Sequence, residues 1–108
     1  MQLLDSDMDF SRDAFPHMQF REGTIAGVPA RVLRASFTGE VTYEISVPAR
    51  YGHSLWEQVY TLGMPLGVTP YGIESLMVLR TEKGYLHMGV DTDGTTTPLD
   101  LGWAVPLS

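Results

Sequence analysis

The hydrophobic period of this sequence changes once, near Pro48, and that change constrains the fold more than any other feature. Between Gln19 and Val47, apolar and polar residues alternate with a period of two, as in strands that bury one face. After Pro48, apolar residues recur every three or four positions, as on one face of a helix. Strands followed by helices predict an α+β fold, with an antiparallel sheet and two helices packed on one face.

Three strands are predicted, and turn residues separate them. The first two cover Gln19–Ile25 and Pro29–Phe37, and a tight hairpin at residues 26–28 joins them. Thr38-Gly39-Glu40 forms the next turn, and the third strand covers Val41–Val47. Short elements of this kind agree with the eleven Gly and seven Pro in the chain.

Two helices are predicted after the strands. The first covers about Ala49 to Leu62, and residues 66–68 then form a short strand. The second helix begins with Thr69 as its N-cap and Pro70 at its first helical position. It ends near Lys83-Gly84, before a turn-rich loop.

Composition limits the partners and the compartment. Residues 1–18 are acidic and irregular and are predicted to form a leading arm, whereas residues 19–108 form the domain. The formal net charge of −6 disfavours nucleic acid and anionic membranes as partners, since both attract basic surfaces. The chain contains no cysteine, which excludes disulfides and thiolate metal ligands. Without a signal-peptide pattern or a long apolar run, the sequence predicts a soluble, cytoplasmic protein.

Glu44 is the most informative single residue. It lies in the middle of the third predicted strand, between Tyr43 and Ile45. One interpretation is a carboxylate on the solvated face of an amphipathic strand. The other is a carboxylate that accepts paired hydrogen bonds from a flat heterocycle rich in N–H groups. The residues alone leave both interpretations open.

No metal site and no catalytic residue are predicted. His17, His53 and His87 fall in three different elements and share no ligand spacing. The acidic runs at residues 5–9 and 91–94 lack the glycine and glutamate positions of a calcium loop. The sequence has no phosphate-binding glycine loop and no G-x-S-x-G nucleophile motif.

Three blocks of sequence resemble one known family. The block at residues 34–48, RASFTGEVTYEISVP, is similar to a signature of the glycine-cleavage aminomethyltransferase (T-protein) family. The block at residues 67–85, GVTPYGIESLMVLRTEKGY, resembles the helix of that family that follows. The block at residues 89–98, GVDTDGTTTP, resembles its next loop. Within the family, the amino acids of the second and third blocks are most similar to the branch formed by the alpha subunits of multi-subunit sarcosine oxidases.

The resemblance implies a cofactor and its contacts. The family binds tetrahydrofolate, and the counterpart of Glu44 hydrogen-bonds the pterin ring. The aromatic residues that match Phe37 and Tyr85 contact the cofactor. The resemblance also implies a ferredoxin-like split arrangement of sheet and helices, other oxidase subunits as partners, and flavin and NAD bound elsewhere in the intact enzyme.

Some departures from the family pattern bear on function. Leu76 stands where aminomethyltransferases have an Arg that approaches folate, which favours the oxidase branch. Phe37 lacks the hydroxyl of the usual Tyr. The catalytic Asp of the family lies upstream of anything present here, so the chain is expected to be a segment of a larger domain, inactive by itself. The alternatives are a glycine-cleavage-type aminomethyltransferase and a non-catalytic folate-binding or interaction module.

Overall fold

The computed structural model describes residues 4–103, which form a small antiparallel sheet followed by two helices. The strands are β1 (Phe20–Ile25), β2 (Val28–Leu33) and β3 (Glu44–Ser46), and the helices are α1 (Gly52–Gly63) and α2 (Ile73–Glu82). Single 3-10 turns at Ala49–Tyr51 and Met64–Leu66 flank α1. The predicted α+β class with an antiparallel sheet is confirmed.

The sheet is a meander with the strand order β1-β2-β3. Ile25 pairs with Val28, so the hairpin between β1 and β2 turns at Ala26 and Gly27 alone. Both turn residues have positive φ, +51° and +74°, which is the backbone of the tight turn that matches strand twist. The predicted hairpin is therefore confirmed.

β2 ends earlier than predicted, at Leu33 and not at Phe37. The next residue, Arg34, is buried, and its guanidinium donates hydrogen bonds to the backbone carbonyls of Arg12 and Phe15. The inward-facing positions Ala30 and Val32 are apolar, whereas the next one, Arg34, is bonded to the leading segment. The strand stops at this change.

β3 covers Glu44–Ser46, whereas Val41–Val47 was predicted. Its register places Glu44 opposite Leu33, the last residue of β2. Residues 41–43 lie beyond the end of the neighbouring strand, so they have no ladder to join.

The helices differ from the prediction mainly in the segment between them. The prediction of a short strand at residues 66–68 is wrong: the chain makes the 3-10 turn Met64–Leu66, which Gly67 caps with a φ of +77°. The start of α2 at Thr69 is also wrong, because the N-cap is Gly72, with extended backbone. The Thr69 hydroxyl donates to the carbonyl of Gly67 at 3.3 Å, so it does not cap the helix.

The hydrophobic core lies between the sheet and the segment that precedes it. Its buried residues are Leu4, Phe10, Phe15, Ile25, Ala30 and Val32. Half of them precede β1, so the described part of the predicted leading arm is irregular in backbone yet packed as core. Tyr43 meets the rings of Phe10 and Phe15 edge-on, at 5.6 Å from each, and its hydroxyl donates to the carbonyl of Phe10.

The two helices contribute unequally to this core. Leu55 and Val59 of α1 pack against it, whereas no residue of α2 belongs to the cluster within residues 4–103. In α2 the buried residue is the charged Arg80. Across the described part of the chain, no helix has both the length and the apolar character to cross a membrane.

Candidate functional site

Two of the three sequence blocks meet through Lys83, just beyond the end of α2. A Cβ atom on Gly39 would lie 2.9 Å from the Lys83 side chain, so only glycine fits this approach without displacement. The Lys83 ammonium lies 2.8 Å from a carboxylate oxygen of Glu40. We call this contact between residues 36–42 and residues 83–87 the motif junction.

The ion pair at the motif junction shifts both of its members. The hydrogen bond from Lys83, and then its positive charge, lower the pKa of Glu40. The same contact raises the pKa of Lys83. Both side chains are therefore charged across the neutral range, and each balances the other.

A second ion pair closes the loop that follows α2. The guanidinium of Arg80 donates to both carboxylate oxygens of Asp91, from Nη1 and Nη2. Nη1 also donates to the carbonyl of Tyr85 at 3.1 Å. The carboxylate of Asp91 accepts the backbone N–H of His87 at 2.8 Å. That hydrogen bond, followed by the one from Arg80, lowers the pKa of Asp91.

The Arg80–Asp91 pair is a structural element that sequence reasoning missed. Both residues occur in the quoted blocks, but they are eleven positions apart and nothing in the spacing indicates that they pair. Within the described residues, Arg80 Nε and His87 Nδ1 are buried without a hydrogen-bond partner. The pair therefore holds residues 85–91 against the end of α2, although these two nitrogen atoms lack hydrogen-bond partners there.

Phe37 and Tyr85 lie on the two sides of the motif junction. Phe37 is half-buried, and its ring centroid is 6.1 Å from that of His87, with the planes tilted by 57°. Tyr85 remains 40% exposed. Neither of these two aromatic residues belongs to the hydrophobic core cluster.

Glu44 begins β3 on the face of the sheet away from the core. It is exposed and lies opposite Leu33. Its carboxylate makes no hydrogen bond or ion pair with any residue in the range 4–103. The nearby Arg31 pairs instead with Glu22 at 2.6 Å. Glu44 thus keeps both oxygens available as acceptors, which fits a solvated carboxylate and also a ligand-binding one.

A pocket of about 280 Å³ lies beside the motif junction. Tyr85 and Glu40 line it from the junction side. The other polar side chains that line it are Arg12, His17, Arg34, Ser36 and Thr42. Of the three predicted binding residues, Tyr85 lines this pocket, and Glu44 and Phe37 do not.

The three predicted binding residues carry groups of the kinds that suit a flat, N–H-rich ring. Glu44 offers a free carboxylate, and Phe37 and Tyr85 offer ring faces that remain partly exposed. Among the residues that the structure describes, no three His, Asp or Glu side chains converge as metal ligands would.

The comparison with known proteins first defines a class. The profile of the GCVT N-terminal domain matches residues 1–108, and the chain therefore belongs to the GCVT N-terminal domain family. The resemblance drawn from the three sequence blocks is confirmed.

The similar individual proteins include sarcosine oxidase alpha subunits and aminomethyltransferases. The chain is 49% identical over 105 residues to the sarcosine oxidase subunit alpha of Corynebacterium sp. (strain U-96), covering 94% of this chain. It is 39% identical to the Rhizobium meliloti subunit of the same name, again over 94% of this chain. An aminomethyltransferase from Halothermothrix orenii is 32% identical over 96% of this chain.

The chain spans only part of these relatives. It covers 11% of the Corynebacterium subunit, 10% of the Rhizobium subunit and 30% of the Halothermothrix enzyme.

Proposed function

We propose that this chain is a segment of the tetrahydrofolate-binding domain of a sarcosine oxidase alpha subunit. The intact domain passes the one-carbon unit released from oxidised sarcosine to tetrahydrofolate. A cytoplasmic location, assembly with other oxidase subunits, and flavin and NAD bound elsewhere in the enzyme are parts of the same proposal.

One observation carries the proposal: two of the three sequence blocks shared with the family meet in space at the motif junction. Lys83 packs on Gly39 and pairs with Glu40, and Phe37 lies against His87. The 49% identity to an alpha subunit over nearly the whole chain supports the oxidase branch.

Each predicted residue has a distinct role in this proposal. Tetrahydrofolate supplies the nitrogen nucleophiles that accept the one-carbon unit. Glu44 accepts hydrogen bonds from the 2-amino group and the adjacent ring N–H of the pterin, side by side on its two oxygens. Phe37 and Tyr85 cover the ring and remove it from water. Glu44 therefore orients the ring and transfers no proton.

The proposal is tested by NMR titration of the 108-residue chain with 5-formyltetrahydrofolate. We expect shifts to cluster at Phe37, Glu44 and Tyr85. The substitution Glu44→Gln removes a charged acceptor of two hydrogen bonds, and we expect binding to weaken by roughly tenfold or more. Glu57→Gln, on the exposed surface of α1, is the matched control and should leave binding unchanged.

The same titration on the full-length protein decides the case in which the 108-residue chain does not bind. Binding by the full-length protein that is insensitive to Glu44→Gln would contradict the role of Glu44. An absence of binding in both proteins would contradict the folate proposal.

A glycine-cleavage-type aminomethyltransferase is the alternative, and a non-catalytic folate-binding or interaction module of the same family is another. Leu76, half-buried in α2, stands where aminomethyltransferases have an Arg, and this favours the oxidase. Sarcosine oxidation by the full-length protein supports the oxidase, whereas dependence on a lipoyl carrier supports the aminomethyltransferase. Folate affinity without turnover supports the non-catalytic module.

A further inference from the structure

The pocket beside the motif junction gathers positive charge in a chain whose formal net charge is −6. Arg12 and Arg34, two of only seven Lys and Arg residues, line it together with His17. We infer that this pocket binds a small oxyanion, a carboxylate or phosphate group. The inference goes beyond folate binding by Glu44, which does not line the pocket.

Arg34 is the buried side chain of this site, and its orientation is fixed by hydrogen bonds. The residue is 8% exposed, and its Nη1 donates to the carbonyls of Arg12, at 3.2 Å, and Phe15. These two bonds fix the plane of the guanidinium. Its Nε and Nη2 donate to no residue within the range 4–103, although Arg34 lines the pocket. A fixed guanidinium with two unused donor groups matches the paired oxygens of a carboxylate or phosphate.

Hydroxyl groups line the pocket from the side of residues 36–42. The Ser36 hydroxyl accepts the backbone N–H of Thr38 at 3.2 Å, which leaves its own proton free to donate. Thr42 lines the pocket beside it, with its hydroxyl 3.3 Å from the carbonyl of Glu40. Because the Thr42 hydroxyl donates its one proton to the Glu40 carbonyl or to the Ser36 hydroxyl, Ser36 is the hydroxyl donor that adds to the guanidinium of Arg34 in coordinating an oxyanion.

Glu40 is the acidic residue that lines the pocket, and it does not cancel this charge. Its carboxylate is 2.8 Å from the ammonium of Lys83, and that contact keeps the pKa of Glu40 below its ordinary value. The Glu40–Lys83 pair is neutral as a unit. The two arginines therefore leave the pocket with net positive charge.

The test is an NMR titration of the 108-residue chain with inorganic phosphate and, separately, with oxalate, at an ionic strength held constant with potassium chloride. We expect saturable shifts at Arg34, Ser36 and Thr42. Arg12→Gln should weaken binding about threefold or more, as expected for loss of a partly exposed charge. Arg50→Gln, which removes an exposed arginine from the 3-10 turn before α1, should leave it unchanged.

Arg34→Lys keeps the charge but loses the planar fork, and we expect the saturable shifts to disappear. Because Arg34 also holds the leading segment, this variant can lose its fold, and the Arg12→Gln and Arg50→Gln pair then decides. Shifts that grow linearly with the phosphate or oxalate concentration without saturating, or equal affinities in the Arg12→Gln and Arg50→Gln variants, overturn the inference.

Discussion

Arg80 shapes the segment that follows α2 more than any other single residue. Its side chain is 9% exposed, and it joins Tyr85 and Asp91 through three hydrogen bonds. A buried charge is costly without a partner, so the two members of the pair are not equivalent. Loss of Asp91 strands a buried guanidinium, whereas loss of Arg80 leaves a partly exposed carboxylate that still accepts the His87 N–H.

We predict that Asp91→Asn lowers the free energy of unfolding more than Arg80→Met does. We also expect the double variant to cost less than the sum of the single variants, because neither charge is then left without its partner. Urea unfolding followed by circular dichroism measures both effects. Arg31→Met is the control: its pair with Glu22 is 65% and 62% exposed, so its cost should be about 0.5 kcal/mol or less. Strict additivity would contradict the coupling.

The lowered pKa of Asp91 predicts a loss of stability in acid. Because folding favours the ionised carboxylate, its contribution is present above the ordinary value of 3.8 and is lost as the pH falls through the lower folded-state pKa. We expect the thermal unfolding midpoint to fall as the pH is lowered from about 5 to about 2. Asp91→Asn should flatten this dependence. An equally steep dependence in the variant would show that other carboxylates cause it.

At this scale the sequence predicted residue types better than residue partners. Glu44 was placed on a strand and is found there, because local alternation determines which side chains share a face. The Lys83–Glu40 and Arg80–Asp91 pairs were not foreseen. Charges at 83 and 40 meet only after α2 returns to the loop before β3, and no local pattern encodes that return. The binding roles of Phe37, Glu44 and Tyr85 stay predictions.

Among the elements, the segment before β1 contributes more to the core than its irregular sequence suggests. Leu4, Phe10 and Phe15 are buried, and Phe15 is fully so. Ser6 forms an isolated antiparallel bridge with Ile25, and its hydroxyl donates to the carbonyl of Thr24 at 2.7 Å. The segment covers the inner face of the sheet, where its side chains pack against Ile25, Ala30 and Val32.

We predict that Phe15→Ala lowers the free energy of unfolding by about 3–5 kcal/mol, the usual cost of removing a buried phenylalanine. Phe20→Ala is the matched control, since that ring is 61% exposed on β1, and its cost should stay below about 1 kcal/mol. Chemical denaturation of both variants gives the comparison. Similar costs would mean that the segment before β1 is not part of the cooperative core.

Elements whose ends depend on local chemistry were predicted well, and elements whose ends depend on packing were not. The hairpin at Ala26-Gly27 follows from Gly27, which adopts positive φ without a steric cost, whereas Ala26 takes a φ of +51° that alanine seldom adopts. The start of α2 was misplaced because Thr69-Pro70 is a good helix start in isolation. Gly72 is extended in the folded chain and delays the helix to Ile73.

The molecule as a whole exposes an unusual amount of apolar side chain on α1 and the residues after it. Trp56 and Tyr60 stack in parallel at 6.4 Å while remaining 57% and 39% exposed. Val68 and Tyr71 line the same pocket as these two rings, and further exposed apolar residues after α1 are Met64, Leu66 and Ile73. Contiguous surfaces of this kind promote association in water.

We predict that the 108-residue chain associates with itself at micromolar to millimolar concentration, and that the double variant Trp56→Ser/Tyr60→Ser reduces this association. Light scattering combined with size-exclusion chromatography measures the mass over a dilution series. Phe20→Ser removes an exposed ring from β1, outside this apolar surface, and is the control. A chain that is monomeric throughout the series, or a double variant that associates as before, would contradict this prediction.

The two edges of the sheet differ in whether they have a pairing partner, and Glu44 lies on the edge strand β3. The edge at β1 receives the Ser6 bridge, whereas in the described residues β3 pairs with β2 alone. Its other edge presents unpaired backbone N–H and C=O groups, which are a template for one more strand. A strand added there would lie alongside Glu44 and lower the local dielectric around its carboxylate, so each hydrogen bond that it accepts would gain in strength. Completion of the sheet and tightening of the ligand site would then be a single event.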